Sequence, residues 1–226
     1  ADRDFDPHVE RTRQRPLAAK SIKPAEALAL AAALMLAAFA LVLQLNRLTV
    51  MLSFAAAALA VIYPFLKRFF SLPQAWLGIA FGFGIPMAYA AQQGRVPAVA
   101  WLLLVANMFW AIAYDTEYAM VDRDDDLRIG VKSSAILLGR HDVAGVMTAH
   151  ALFLGIMAAV GWWQSLGLPY YCGLAVAAGL IAHQHGLIKN RERDACFRAF
   201  LNNNWVGAAV FGGLALDLYF RSRVFS

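Results

Sequence analysis

Tyr114-Asp115-Thr116-Glu117-Tyr118-Ala119-Met120-Val121-Asp122-Arg123-Asp124-Asp125-Asp126 follows directly on an apolar run from Ala98 to Ala113. With its flanks, that run is long enough to be a membrane helix, for which ~20 residues suffice. If the helix continues past Tyr114, Asp122 and Asp126 fall one turn apart on one face, with about 6 Å between β-carbons. Asp115 and Tyr118 lie near the same face. Carboxylates stacked on one stripe repel unless a cation sits between them. An all-oxygen set without His or Cys points to a hard ion such as Mg²⁺. The ordinary reading of a charge run is a solvated loop. A loop needs neither helical spacing nor a second copy, and Asp2 and Asp6 repeat the spacing.

Working outward, the 226 residues are 61% hydrophobic and 15% charged, with mean hydropathy +0.55, which excludes an ordinary soluble domain. Seven apolar spans are expected at about 25–45, 48–66, 75–92, 97–114, 143–163, 169–188 and 205–220. The fold class is therefore an all-α integral membrane protein, a single helical-bundle domain over 1–226. Short turns alternate with longer polar segments at 1–24, 67–74, 115–142 and 189–204. Of the 20 Lys and Arg, 16 lie with the longer segments, and only Arg47, Arg95, Arg221 and Arg223 lie opposite. By the positive-inside rule the longer segments face the cytoplasm. The acidic residues other than Asp217 crowd the same face, and function is the better account of that crowding. Cys172 and Cys196 fall on opposite sides in this topology, so no disulfide is expected. The chain opens inside a charged segment without Met or signal peptide, and an amino-terminal portion is expected to precede it. Ala and Arg richness suggests a bacterial source.

Two Asp-x-x-x-Asp pairs, each beside a membrane span and each among basic residues, can converge on one site. The first lies in segment 1–24 with Arg3, Arg11 and Arg15, and the second in segment 115–142 with Arg123, Arg128 and Lys132. Lys67 and Arg68 close the second span. Carboxylates beside guanidinium groups suit a metal–diphosphate. Mg²⁺ takes one or two carboxylates and fills its shell with phosphate oxygens and water, while Arg and Lys neutralise the remaining charge. A diphosphate at the mouth of an apolar bundle implies an amphiphile whose tail lies among the helices. Were that tail allylic, ionisation would leave a carbocation that the bundle shields from water.

At these residues the chain resembles the UbiA-type intramembrane aromatic prenyltransferases, within them the 4-hydroxybenzoate branch. Residues 115–126 are close to that branch's second signature. Tyr63-Pro64-Phe65-Leu66-Lys67-Arg68, residues 129–134 and residues 190–197 also match, so the likeness spans essentially the whole chain. Of the first signature, Asn-Asp-x-x-Asp-x-x-x-Asp, only the second half is present, in Ala1 to Asp6. The resemblance implies a nine-helix parent missing here its first helix and most of its second. It implies that Asp2, Asp6, Asp122 and Asp126 hold Mg²⁺–diphosphate, with Asp115 nearby, all five being catalytic. Arg11, Lys67, Arg68 and Lys132 are the implied diphosphate contacts, Tyr63 and Tyr118 cavity residues, and Arg3 a candidate for orienting the acceptor's carboxylate. The implied partners are polyprenyl diphosphate, 4-hydroxybenzoate and a lipid bilayer, with no nucleic acid. The implied location is a bacterial inner membrane, and the implied role is ubiquinone biosynthesis.

A cation-coupled transporter is the alternative from another class. It would place charges near the bilayer midplane, whereas here they cluster at one interface. Lys189 and Arg193 read as lipid-headgroup contacts. His150, His183 and His185 read as interhelical hydrogen-bonding groups, and Asp217 with Arg221 as a pair one helical turn apart. Gly78 and Gly82 predict close packing, and Pro86 a bend in that span.

Overall fold

Helices make up the fold of this computed structural model, which describes residues 6–8, 12–66 and 68–224; no strand occurs among the described residues. A short 3₁₀ turn at Asp6–His8 precedes α1 (Pro24–Val42), α2 (Arg47–Leu66), α3 (Pro73–Gly82), α4 (Gly84–Gln93) and α5 (Ala98–Ile129). Then come α6 (Ser134–Leu138), α7 (Asp142–Trp163), α8 (Leu168–Ile188) and α9 (Arg193–Val224). Local chemistry sets several starts. Pro24, Pro73 and Pro169 stand in first turns, where a missing N–H costs nothing. The Glu26 carboxylate accepts from the Lys23 N–H at 2.8 Å, and the Asn46 side-chain oxygen accepts from the Thr49 N–H at 3.0 Å.

Among the described residues five helices are long and apolar enough to cross a membrane by length and composition, making this a multi-pass membrane protein. The remaining two expected spans depart for identifiable reasons. The span at 75–92 is split at Phe83 into α3 and α4. The bend expected at Pro86 falls one turn earlier, because Pro86 has no N–H to give the Gly82 carbonyl. The span expected from about 205 begins at Arg193: on this first part of the helix Asn203 is buried, Arg193 and Asn202 are half-buried, and Asp194, Arg198 and Asn204 are exposed.

α5 is the central rod, packed against α3, α7 and α9, while α8 and α9 pair closely along their length. Small residues permit these approaches. A Cβ on Gly78 would stand 2.6 Å from the Met108 Cα, and one on Gly173 would stand 2.8 Å from the Gly213 Cα. Two apolar clusters lie along α5, one around Ala113, Val121, Val146 and Ala199, the other around Ala106, Phe153, Leu174 and Val206.

The polar ends are tied by side chains. At one end Lys132 donates to the Phe69 carbonyl at 3.0 Å, Arg191 to Asp142 at 2.7 Å, and Arg193 to Asp125 at 2.6 Å. These bonds bring the loops after α2, α5 and α8 to one face, the face that carries the acidic run. At the other end Gly167 N–H donates to Asp217 at 2.8 Å, and Arg221 pairs with Asp217 at 2.8 Å, as its spacing predicts. His150 is buried between helices, but His183 and His185 lie on the exposed side of α8, where the interhelical role expected of them is not available.

Candidate active site

α5 runs on without a break through the acidic stretch, so its 32 residues extend ~48 Å at about 1.5 Å each. The helix stops at Gly130, whose left-handed φ of 72° suits a residue without a side chain. The chain then turns back, and Val131, Lys132 and Ser133 pass over the face that presents the carboxylates. Together with Gln74 of α3 they line a cleft of about 80 Å³, whose α5 wall is Asp115, Tyr118, Ala119, Asp122 and Asp126. The helical spacing read from the sequence thus places three of the predicted carboxylates in one hollow.

Buried polar contacts hold that loop. The Gln74 side-chain oxygen accepts from Ser134 N–H at 3.2 Å, and the Thr116 and Ser134 hydroxyls lie 2.7 Å apart. Asp122 is buried at 6% exposure, whereas Asp115, Tyr118 and Asp126 are half-buried and Lys132 is exposed. Among the described residues no three His, Cys or acidic side chains form a group able to hold a metal ion by themselves. The donor set is nevertheless entirely hard oxygen, which fits an ion that draws most of its shell from a bound diphosphate.

The other predicted residues are distributed as follows. Asp6 pairs with Arg15 at 3.1 Å and its carbonyl accepts from the Thr12 hydroxyl at 2.8 Å; it is not among the residues lining the cleft. Tyr63 is half-buried near the end of α2, and Arg68 sits over the Phe65 ring at 5.4 Å; neither lines the cleft. Asp2, Arg3, Arg11 and Lys67 lie outside the described residues.

Several contributors escaped the sequence reading. Gln74 and Ser133 line the cleft without belonging to any charged pattern. Asp125 faces away from the cleft towards Arg193, and Asp124 is exposed. Asp142, fully buried, accepts from Arg123 at 3.1 Å, from Arg191 and from the Val143 N–H at 2.7 Å. Those hydrogen bonds, with the adjacent negative charge, push the Arg191 pKa above its ordinary value, so this guanidinium stays charged. Behind the cleft, Glu117 accepts from the Asn203 amide at 2.8 Å and stands 3.9 Å from His150, all three being buried. An aromatic row runs along α5 and α9: Tyr118 and Phe200 have centroids 5.0 Å apart, and Trp110 and Tyr114 5.8 Å.

Comparison with known proteins agrees with this architecture. The UbiA prenyltransferase family profile matches residues 1–214. A 4-hydroxybenzoate octaprenyltransferase from Azoarcus sp. is 61% identical over 217 residues, covering 96% of this chain and 76% of its own length. The protein of the same description from Cupriavidus necator is 62% identical over 216 residues, with 96% and 76% covered. Among solved structures, the apo form of a UbiA homolog from Aeropyrum pernix superposes with a TM-score of 0.79 at 28% identity, covering 93% of this chain and 80% of that one. A digeranylgeranylglyceryl phosphate synthase structure has the same fold, with a TM-score of 0.65 at 17% identity over 95% of this chain and 78% of that one.

Proposed function

The chain belongs to the UbiA prenyltransferase family, and from that premise we propose that it transfers a polyprenyl group from polyprenyl diphosphate to 4-hydroxybenzoate. The new bond forms at the ring carbon ortho to the hydroxyl, a step of ubiquinone biosynthesis. The observation that carries this reading is the cleft at the end of α5. Asp115, Asp122 and Asp126 share it with Lys132 and Tyr118, at the mouth of a bundle that packs two apolar clusters along α5.

In this reading Asp122 and Asp126 hold Mg²⁺, and Asp2 and Asp6 complete the site from the first motif. When bound, the ion neutralises charge that develops on the diphosphate leaving group. Lys132, donating to the Phe69 carbonyl, carries its ammonium at the rim, where it meets the same charge; Arg11, Lys67 and Arg68 are assigned to it as well. The carbon–oxygen bond breaks as diphosphate leaves, the allylic cation is attacked by the phenolic ring, and the displaced ring proton passes to the diphosphate or to a cleft carboxylate. Apolar helices exclude water that would otherwise quench the cation. Tyr118 and Tyr63 are assigned to the cavity wall, where an aromatic face stabilises positive charge, and Arg3 to the acceptor's carboxylate. In the same reading the acidic face lies on the cytoplasmic side of a bacterial inner membrane, an orientation that the crowding of Lys and Arg in the longer polar segments supports.

The test uses membranes containing the protein, a polyprenyl diphosphate and labelled 4-hydroxybenzoate. Prenylated acid should form only with Mg²⁺, and Asp122→Asn or Asp126→Asn should abolish it. Parent-level turnover in those variants refutes the ligand assignment. Competition with homogentisate and dihydroxynaphthoate tests the acceptor, and 4-hydroxybenzoate should win.

A further inference from the structure

We infer that Arg193 is a positioning residue for the diphosphate end of the reaction: it grips the last turns of α5 through Val121 and Asp125, and so holds Asp122 towards the cleft. The inference rests on the proposed prenyl transfer and extends it to a residue on another helix.

Arg193 is the first residue of α9. Its Nε donates to the Val121 carbonyl at 2.8 Å and its Nη2 to the Asp125 carboxylate at 2.6 Å. The same Nη2 stands 4.0 Å from the Asp122 carboxylate. One planar guanidinium therefore holds a backbone atom and a side chain one turn apart on α5. Two fixed points along a helix set its rotation, and rotation decides whether Asp122 and Asp126 face the cleft or miss it.

Charge points the same way. Asp115, Asp122, Asp124, Asp125 and Asp126 crowd twelve residues of one helix. Of the cations within that helix end, Arg123 is spent on Asp142 at 3.1 Å, and Arg128 reaches Asp125 only at 3.7 Å from a largely exposed position. Arg193 is the partly buried cation brought to Asp122 and Asp125 from outside α5, and Asp125 faces it rather than the cleft. The cleft's carboxylates are thus pre-arranged by a guanidinium that does not line it.

The experiment titrates Mn²⁺, with and without inorganic diphosphate, into the detergent-solubilised protein, reading free Mn²⁺ by electron paramagnetic resonance. Thermal unfolding without metal is followed in parallel. Arg193→Gln and Asp125→Asn should each raise half-saturating Mn²⁺ by about tenfold, the low end of what losing an outer-shell partner costs in metal affinity. Arg193→Lys, which keeps the charge but not the two-point grip, should fall between. In steady state KM for the diphosphate substrate should rise while KM for the acceptor holds. Half-saturation within twofold of the parent in all three variants overturns the inference, whatever their melting temperatures. A loss confined to Asp125→Asn also overturns it, because Asp125 would then be a ligand itself. Should Arg193→Gln not fold, Asp125→Asn and Arg193→Lys decide together. A parent that binds no Mn²⁺ under either condition takes down the proposed function along with the inference, whereas a binding parent with unchanged variants takes down the inference alone.

Discussion

Replacing Asn203 by Leu should cost far more than its single-residue scale suggests. Asn203 is buried at 4% exposure on α9 and makes three hydrogen bonds, two of them across to α5 and one within its own helix. Its amide donates to the Glu117 carboxyl at 2.8 Å and to the Ala199 carbonyl at 3.2 Å, and its oxygen accepts from the Trp110 indole at 2.9 Å. Leu keeps the branching and the number of side-chain heavy atoms, so no cavity opens and the polar contribution dominates. A net hydrogen bond is worth about 1 kcal/mol, and a buried group left without a partner about 1–3 kcal/mol. Inside membranes measured values run lower, near 0.6 kcal/mol per bond. The sum is about 2–4 kcal/mol, or roughly 4–15 °C of melting temperature for a chain of this size. Thermal unfolding in detergent measures it, with Asn202→Leu as the reference, since Asn202 makes one bond, to Gln184 at 3.0 Å. Adding Glu117→Leu to Asn203→Leu should recover part of the loss, because a polar group removed with its partner no longer goes unsatisfied. If Asn203→Leu melts no lower than Asn202→Leu, the knot behind the cleft does not hold α5 to α9.

Asp142→Asn should destabilise by about 2 kcal/mol, a value reduced from the fully buried case because Arg123 and Arg191 are 30% and 40% exposed. Its melting temperature should also lose the parent's sensitivity to salt, and a variant that melts like the parent at low salt refutes the latch. Gly78→Val should cost about 1–3 kcal/mol by overpacking, as the first carbon alone would meet the Met108 backbone at 2.6 Å. It should also weaken substrate use, because Gln74 lies one turn away on the same helix; Gly84→Val, with open space beside it, is the control. Equal melting of the two variants would show that α3 and α5 need no close approach.

What the sequence disclosed and what it withheld divides along sequence distance. Asp115, Tyr118, Asp122 and Asp126 belong to one helix, so 3.6-residue geometry alone brings them to one wall, and the structure encloses them in one cleft. The pair Asp217 and Arg221 was readable for the same reason. Arg193 was assigned to lipid headgroups because nothing near it in the chain says otherwise; its partner Asp125 is 68 residues away. Glu117, Asn203 and His150 were dispersed over three helices and carried no shared pattern. The break at Phe83 was half legible, since a proline announces a lost hydrogen bond but the bond it loses belongs to the carbonyl one turn back. The acidic run shows where local reasoning stops. Asp122 and Asp126 face the cleft, Asp125 holds an arginine of α9, and Asp124 meets solvent. Identical side chains on neighbouring positions thus have three different surroundings, and only the helices packed around α5 distinguish them. A motif counted by its carboxylates therefore overstates the number available to an ion. The fold, by committing Asp125 to Arg193, removes one carboxylate from the repelling set and leaves the remainder arranged for a charged guest.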